Sequence, residues 1–150
     1  MSKAWANPVW FFFHGLAEKV HEDFYNRNKN ACLSLVKRVC NILPCPLCRR
    51  EATKYMSRIS VLHVPTKEHF KEMLFHFHNS VNKKLHKSSF PKSGLEKYSR
   101  LRFIKTTRVM CSQLRRFNQR WLGGRGVGAG NIEYINLIEN SVRKHITHFL

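Results

Sequence analysis

Apolar residues recur at spacings of three and four along most of the chain, the period of an amphipathic helix. Asn7-Pro8 reads as a helix start, with Asn as a cap and Pro in the first turn, and this helix is expected to run to about Phe24. Asn26 to Asn30 reads as a polar loop. From about Ala31, Cys32, Val36, Val39, Cys40 and Leu43 mark one face of a second helix, which Pro44 stops. Cys45 and Pro46 open a third, with Ala52, Tyr55 and Met56 on its inner face. His63-Val64-Pro65 is a break, and Thr66 caps a fourth helix striped by Phe70, Met73, Leu74, Phe77, Val81 and Leu85. Ser93 with Glu96 reads as a capping box for a fifth, running to Trp121 with Met110, Leu114 and Phe117 inward. Ile132, Ile135, Ile138, Val142, Ile146 and Phe149 pattern a last helix, suited to docking or an oligomer contact. No run of strands and no repeat is visible, so the expected class is all-α.

The segments divide into a core over 1–92, a basic helix over 93–122 that continues the domain, a glycine-rich linker over 123–130, and a C-terminal amphipathic helix over 131–150. The linker's loose G-x-G-x-G follows no strand, which excludes a dinucleotide loop. The chain has 150 residues, 43% of them hydrophobic, enough for one buried core and too many for disorder. Lys and Arg number 27 against 9 Asp and Glu, a net charge of +18 that favours anionic partners. The charge is densest over 83–120, where twelve basic residues face Glu96 alone. That density points to a contact with nucleic acid or an acidic partner. The apolar string Val9 to Phe13 is too short and too polar-flanked for a signal peptide, and nothing is long enough to span a membrane.

Five cysteines do not fit a disulfide framework. Cys45-Pro46-Leu47-Cys48 is a local pair at a helix start, where the helix N-terminus stabilises a thiolate. The pair can form a redox disulfide or half of a zinc site. A second C-x-x-C or an H-x3-H, which zinc would want, is missing, with only His76, His78, Cys32 and Cys40 on hand. Cys32 and Cys40, eight apart on one helix, cannot bond to each other and read as packed thiols; Cys111 is a candidate relay or intersubunit cysteine. Trp10 and His14 are four apart on one helix, as are His78 and Asn82 on another, with Asn79, Lys84 and Lys87 nearby. Such a set suits a ligand with a flat ring and phosphates.

Three blocks resemble the Erv/ALR family of FAD-linked sulfhydryl oxidases, most closely the compact versions of large cytoplasmic DNA viruses. Trp10-Phe11-Phe12-Phe13-His14-Gly15-Leu16-Ala17 is similar to W-x-x-L-H-x-x-A. Leu43-Pro44-Cys45-Pro46-Leu47-Cys48-Arg49 is similar to the redox C-x-x-C. His78-Asn79-Ser80-Val81-Asn82-Lys83-Lys84-Leu85-His86-Lys87 is similar to H-N-x-V-N-x-x-L-x-K. Together they cover roughly residues 5 to 90. Ala6 replaces the family's glycine, Phe13 its leucine, and Phe75 one cysteine of the structural disulfide of cellular members. The family's separate shuttle pair is also absent.

The resemblance implies a four-helix bundle plus a short fifth helix, here with a basic C-terminal helical extension. It implies a thiol oxidase in which a substrate thiolate attacks Cys45, Cys48 is freed beside FAD, and electrons pass to oxygen to give hydrogen peroxide. It assigns FAD binding to Trp10, His14, His78, Asn79, Val81, Asn82, Lys84, Leu85, Lys87 and Phe90, and no residue to a metal. It further implies thiol-bearing substrate proteins, a homodimer, and work on virion protein disulfides in the cytoplasm of an infected cell or in association with the virion, rather than secretion. The competing readings are a basic helical nucleic-acid-binding module with C-x-x-C in a zinc site, and a structural virion protein with an inert disulfide.

Overall fold

The computed structural model describes residues 3–120 and 128–150. Helix α1 spans Ala6–Lys19, α2 Glu22–Arg27, α3 Lys29–Asn41, α4 Pro46–Ser57, α5 Lys67–Lys84, α6 Phe103–Arg120 and α7 Gly128–Lys144. Short 3₁₀ segments cover Val61–His63, Lys92–Arg100 and Ile146–Phe149, and the described residues contain no strand. The expected all-α class is what the chain adopts. Helices α1, α3, α4 and α5 form the bundle, the 3₁₀ segment Lys92–Arg100 lies against α1 as the short fifth element, and α6 and α7 extend it.

The first helix is shorter than its pattern indicates. It ends at Lys19, because Val20 (ψ 129°) and His21 (ψ 139°) are extended, and α2 begins afresh. The corner buries Val20 fully and points Tyr25 inward, where its hydroxyl donates to the Val64 carbonyl at 2.7 Å. Packing therefore overrides a continuous helical period. The start also moves: Trp5 is the cap residue, and Asn7 and Pro8 lie inside the first turn. The polar stretch Asn26–Asn30 is mostly helix, with Asn28 joining α2 to α3.

Helices α3, α4 and α5 follow their patterns. Cys32, Val36, Val39, Cys40 and Leu43 are buried, as are Ala52 and Met56. Pro46 occupies the first turn of α4, and Thr66 Oγ1 caps α5 by accepting from the His69 amide at 3.3 Å. Along α5 the stripe is buried from Phe70 to Phe77, but Val81 is half-buried and Leu85 is 42% exposed, so its last turn leaves the core.

The expected single helix from Ser93 to Trp121 is two elements. Lys92–Arg100 is a 3₁₀ segment with no side-chain cap, so the Ser93–Glu96 capping box does not form. Leu101 is extended (ψ 153°), and α6 starts at Phe103. The reason is the approach of this corner to α1. A Cβ on Gly15 would meet Leu101 at 3.1 Å and Phe103 at 3.3 Å, and the Phe103 ring stacks on Phe12 at 5.4 Å. Buried Phe103, Met110, Cys111 and Leu114 then line α6 against the bundle.

Trp121 and residues 123–127 of the expected linker lie outside the described residues, while Gly128 to Gly130 belong to α7. Ile135, Ile138 and Val142 of α7 and Phe149 beyond it are buried, packing on α6 and α3. One hydrophobic core thus runs from Trp5 to Phe149. The C-terminal segments are part of it, so the last helix docks on the bundle, one of the two roles its pattern suggests.

Candidate functional site

Two groups of side chains carry the chemistry. Cys45 and Cys48 form a disulfide with Cα atoms 5.2 Å apart. Cys45 is the cap residue of α4, and its sulfur accepts from the Cys48 amide at 3.2 Å. Helix α3 has already ended at Asn41, and Pro46 fixes the first turn of α4, so the pair sits at a helix N-terminus, where partial positive charge favours a thiolate. Both cysteines are half-buried, reachable by another thiol while packed at the core's edge.

The second group is a stack of rings from three elements. Trp10 and His14 come from α1, His78 from α5, and Phe90 and Tyr98 from the chain that follows. Trp10 lies on His78 at 4.0 Å, nearly parallel at 8°, and His78 lies under Phe90 at 4.7 Å. His14 stacks on Tyr98 at 4.8 Å and on Phe90 at 5.5 Å. His14 Nε2 and His78 Nδ1 share a buried hydrogen bond of 2.9 Å. Burial lowers the His14 pKa to about 3, with further depression from His78 and Lys97. Burial, then Lys97 and Lys87, lowers that of His78 to about 4. Both imidazoles are therefore neutral at physiological pH, each with one donor and one acceptor.

The sequence motifs account for part of this geometry only. Asn79 Oδ1 accepts from the Phe90 amide at 2.7 Å, and Asn79 Nδ2 donates to the Phe90 carbonyl at 3.1 Å. This two-point clamp holds Phe90 over the histidines. Asn82 Nδ2 donates to the Ser88 carbonyl at 3.3 Å, and the Asn82 backbone carbonyl accepts from the Lys87 amide at 2.9 Å. The two asparagines thus fold the 85–90 turn, in which His86 takes a positive φ of 54°. Lys84 is ion-paired with Glu51 of α4, and Lys87 is exposed. Val81 packs on the core, whereas Leu85 faces outward.

Three contributors were not singled out from the sequence. Tyr98 is buried against His14 and against Phe11 (5.3 Å). Lys97 places its ammonium 5.1–5.3 Å from the rings of Phe11, Phe90 and Tyr98. Gly94 passes so close to Phe90 that a Cβ there would lie 2.8 Å from its ring. All three sit in the segment read as a plain helix, and only its reversal onto α1 brings them to the site. The one sequence signal was the placement of Gly94 and Tyr98 just beyond Phe90-Pro91.

The remaining cysteines are inert in this arrangement. Cys32, Cys40 and Cys111 are free and buried, and burial pushes each thiol up to about 12. Cys111 lies beneath α7 with its sulfur 3.9 Å from the Ile135 carbonyl. A relay or intersubunit bond through Cys111 is closed to solvent while α7 is docked. Among the described residues no cluster of three or more His, Cys, Asp or Glu is arranged to hold a metal ion. Two clefts of about 320 and 150 Å³ lie elsewhere, beside Asn28 and beside Cys32 and His145.

The chain thus carries a disulfide at a helix N-terminus and a separate tryptophan–histidine stack. The model of the Erv1/Alr family matches residues 7–103, more than half of the chain. The protein belongs to the Erv1/Alr family. Members of this family are FAD-binding sulfhydryl oxidases. The match ends at the first residue of α6, so the 3₁₀ segment with Lys97 and Tyr98 falls inside the family region, while most of α6 and all of α7 lie beyond it. No curated protein and no solved structure matches the chain significantly.

The donor set fits such a cofactor. Trp10 and Phe90 offer ring faces, the neutral imidazoles offer hydrogen bonds without adding charge, and exposed Lys83 and Lys87 with Lys84 suit a diphosphate. Trp10 and His78 are already in contact, so no flat ring lies between them as they stand. Lys84 must also leave Glu51 to reach a phosphate, at small cost for an exposed pair.

Proposed function

We propose that the protein is an FAD-dependent thiol oxidase that makes disulfides in other proteins and uses oxygen as the final acceptor, giving hydrogen peroxide. The observation that carries this reading is the half-buried Cys45–Cys48 disulfide at the N-terminus of α4 in a chain of the Erv1/Alr family. A substrate thiolate attacks the sulfur of Cys45, and Cys48 leaves as thiolate; a second substrate thiol then attacks the mixed disulfide and restores Cys45 as a thiol. FAD held in this site would supply the two-electron acceptor that reoxidises Cys45 and Cys48, with oxygen as the final acceptor. Trp10, His14, His78, Asn79, Val81, Asn82, Lys84, Leu85, Lys87 and Phe90 are the residues proposed to hold it. Within that set, Asn79 and Asn82 act by ordering the turn that carries Lys87 and Phe90. Neutral His14 and His78 add no charge of their own to the ring stack, and their shared hydrogen bond fixes the two rings relative to each other.

The test is the visible spectrum of the purified protein with a metal assay on the same sample. A flavin band near roughly 450 nm at about one per chain, with no zinc, is the expected result. Oxygen uptake with a dithiol is expected to vanish in Cys45→Ser and in Cys48→Ser. A colourless protein that cannot be loaded with FAD overturns the reading, and zinc in its place supports the nucleic-acid module instead.

We also propose the finer context implied by the family blocks: a homodimer through the helices around the FAD site, acting on virion protein disulfides in the cytoplasm of an infected cell. No helix among the described residues is long and apolar enough to cross a membrane. A second feature favours a nucleic-acid contact by α6. Lys105, Arg108 and Arg116 are exposed at helical spacing, with Arg102 just before them. The helix contains no acidic residue, and none of these four has an ion-pair partner among the described residues. Filter binding of DNA and RNA at several salt concentrations tests it. Neutralising three phosphate contacts gives a log–log salt slope near about −3, and no binding at low salt refutes the contact.

A further inference from the structure

The two sulfurs of the disulfide are not equivalent. Cys45 Sγ accepts from a neutral donor, the Cys48 amide, at 3.2 Å. Cys48 Sγ accepts from the ammonium of Lys3, also at 3.2 Å. Lys3 is 45 residues away in the chain, and its position is set locally. Its carbonyl accepts from the Ala6 amide at 2.8 Å in the turn that opens α1, and Trp5, two residues on, is buried in the core. The anchor of α1 thereby delivers a positive charge to one sulfur of the pair.

We propose that Lys3 sets the direction in which the Cys45–Cys48 disulfide opens, by stabilising the thiolate that leaves at Cys48. The inference rests on the thiol–disulfide exchange assigned above and adds a positioning residue to it. When a thiolate attacks Cys45 Sγ, the new bond joins the incoming sulfur to Cys45 and the Cys45–Cys48 bond breaks. The electron pair of the broken bond stays on Cys48 Sγ as a thiolate facing the Lys3 ammonium, and no proton need move. Attack in the opposite sense places the leaving charge on Cys45, which has only the amide. An ammonium makes the stronger, charge-assisted bond to an anion, and a leaving thiol of lower pKa departs faster. The helix N-terminus alone would favour Cys45 as the thiolate, so Lys3 reverses the bias of the backbone.

The other charges nearby do not substitute for it. Arg49 and Arg50 follow Cys48 on α4, Glu51 is paired with Lys84 of α5, and Lys37 of α3 donates to the Ile59 carbonyl. Lys3 is the one charged side chain among the described residues within hydrogen-bond reach of either sulfur.

The experiment follows the Cys48 thiol in the full chain carrying Cys45→Ser, whose serine retains a cap for α4. Thiolate absorbance near about 240 nm and the rate of alkylation by iodoacetamide are read against pH. Adding Lys3→Met is expected to raise the Cys48 pKa by about 0.5–1 unit, three- to tenfold less thiolate at a pH below both values. Lys3→Arg is expected to preserve the low value, and Lys54→Met, which removes an equal charge farther along α4, to leave it unmoved. A Cys48 pKa unchanged by Lys3→Met overturns the inference, as does an equal shift from Lys54→Met. The visible spectrum of the same samples reports on FAD independently. A colourless chain that still shows the Lys3 shift counts against the oxidase, whereas a flavin-loaded chain without it counts against Lys3 alone.

Discussion

The buried histidine pair makes the fold acid-sensitive in a way that can be worked out. In the unfolded chain each imidazole titrates near 6.5; folded, His14 titrates near 3 and His78 near 4. Between those limits the unfolded chain binds more protons, so stability falls as pH drops below 6.5 and is fully present above it. At pH 5 the unfolded imidazoles are almost wholly charged and the folded ones almost wholly neutral. Linkage then costs about 2 kcal/mol per histidine, or about 4 kcal/mol for the pair relative to pH 8. The geometry explains the resistance to charging. One ring of the pair must accept in the 2.9 Å hydrogen bond, so two imidazoliums would set donor against donor beside the Lys97 ammonium. The assay is chemical denaturation of wild type and His14→Gln from pH 8 to pH 5. The variant is less stable at pH 8 but is expected to lose about 2 kcal/mol less over the range. The comparison cancels the other histidines, which both proteins share. Parallel curves for the two proteins would refute the reasoning.

Three further outcomes follow from the same contacts. Asn79→Ala removes both hydrogen bonds that hold the Phe90 backbone; a loss of about 1–3 kcal/mol in denaturation and weaker flavin retention on gel filtration are expected. Gly94→Ala drives a methyl into the Phe90 ring, and the ring is the part able to move. Weaker flavin retention with a melting temperature lowered by no more than a few degrees is therefore expected, and unchanged retention argues that Phe90 does not touch the cofactor. Leu114→Ala hollows the fully buried face of α6 and is expected to cost about 2–5 kcal/mol, with loss of global rather than local stability on hydrogen exchange, because α6 shares one core with the bundle.

Local signals settled much of this molecule. The periodic burial of α3 to α5, the Thr66 cap, Pro46 in the first turn of α4 and the C-x-x-C at that turn are each consequences of residues within one or two helical turns. Such effects are written in spacing, because a helix brings i, i+3 and i+4 to one side whatever surrounds it. The family blocks around Trp10, Cys45 and His78 were legible for the same reason. What the spacing did not contain was any relation between distant segments. The corners at Val20-His21 and Leu101-Arg102 lie within uninterrupted helical patterns, and only burial of Tyr25 and the close approach at Gly15 makes them favourable. Lys97 and Tyr98 reach the histidines because the chain reverses there. Lys3 meets Cys48 across 45 residues, and α7 seals Cys111 from solvent. The free energy of those contacts comes from removing apolar surface from water, which depends on area and shape and carries no period along the chain.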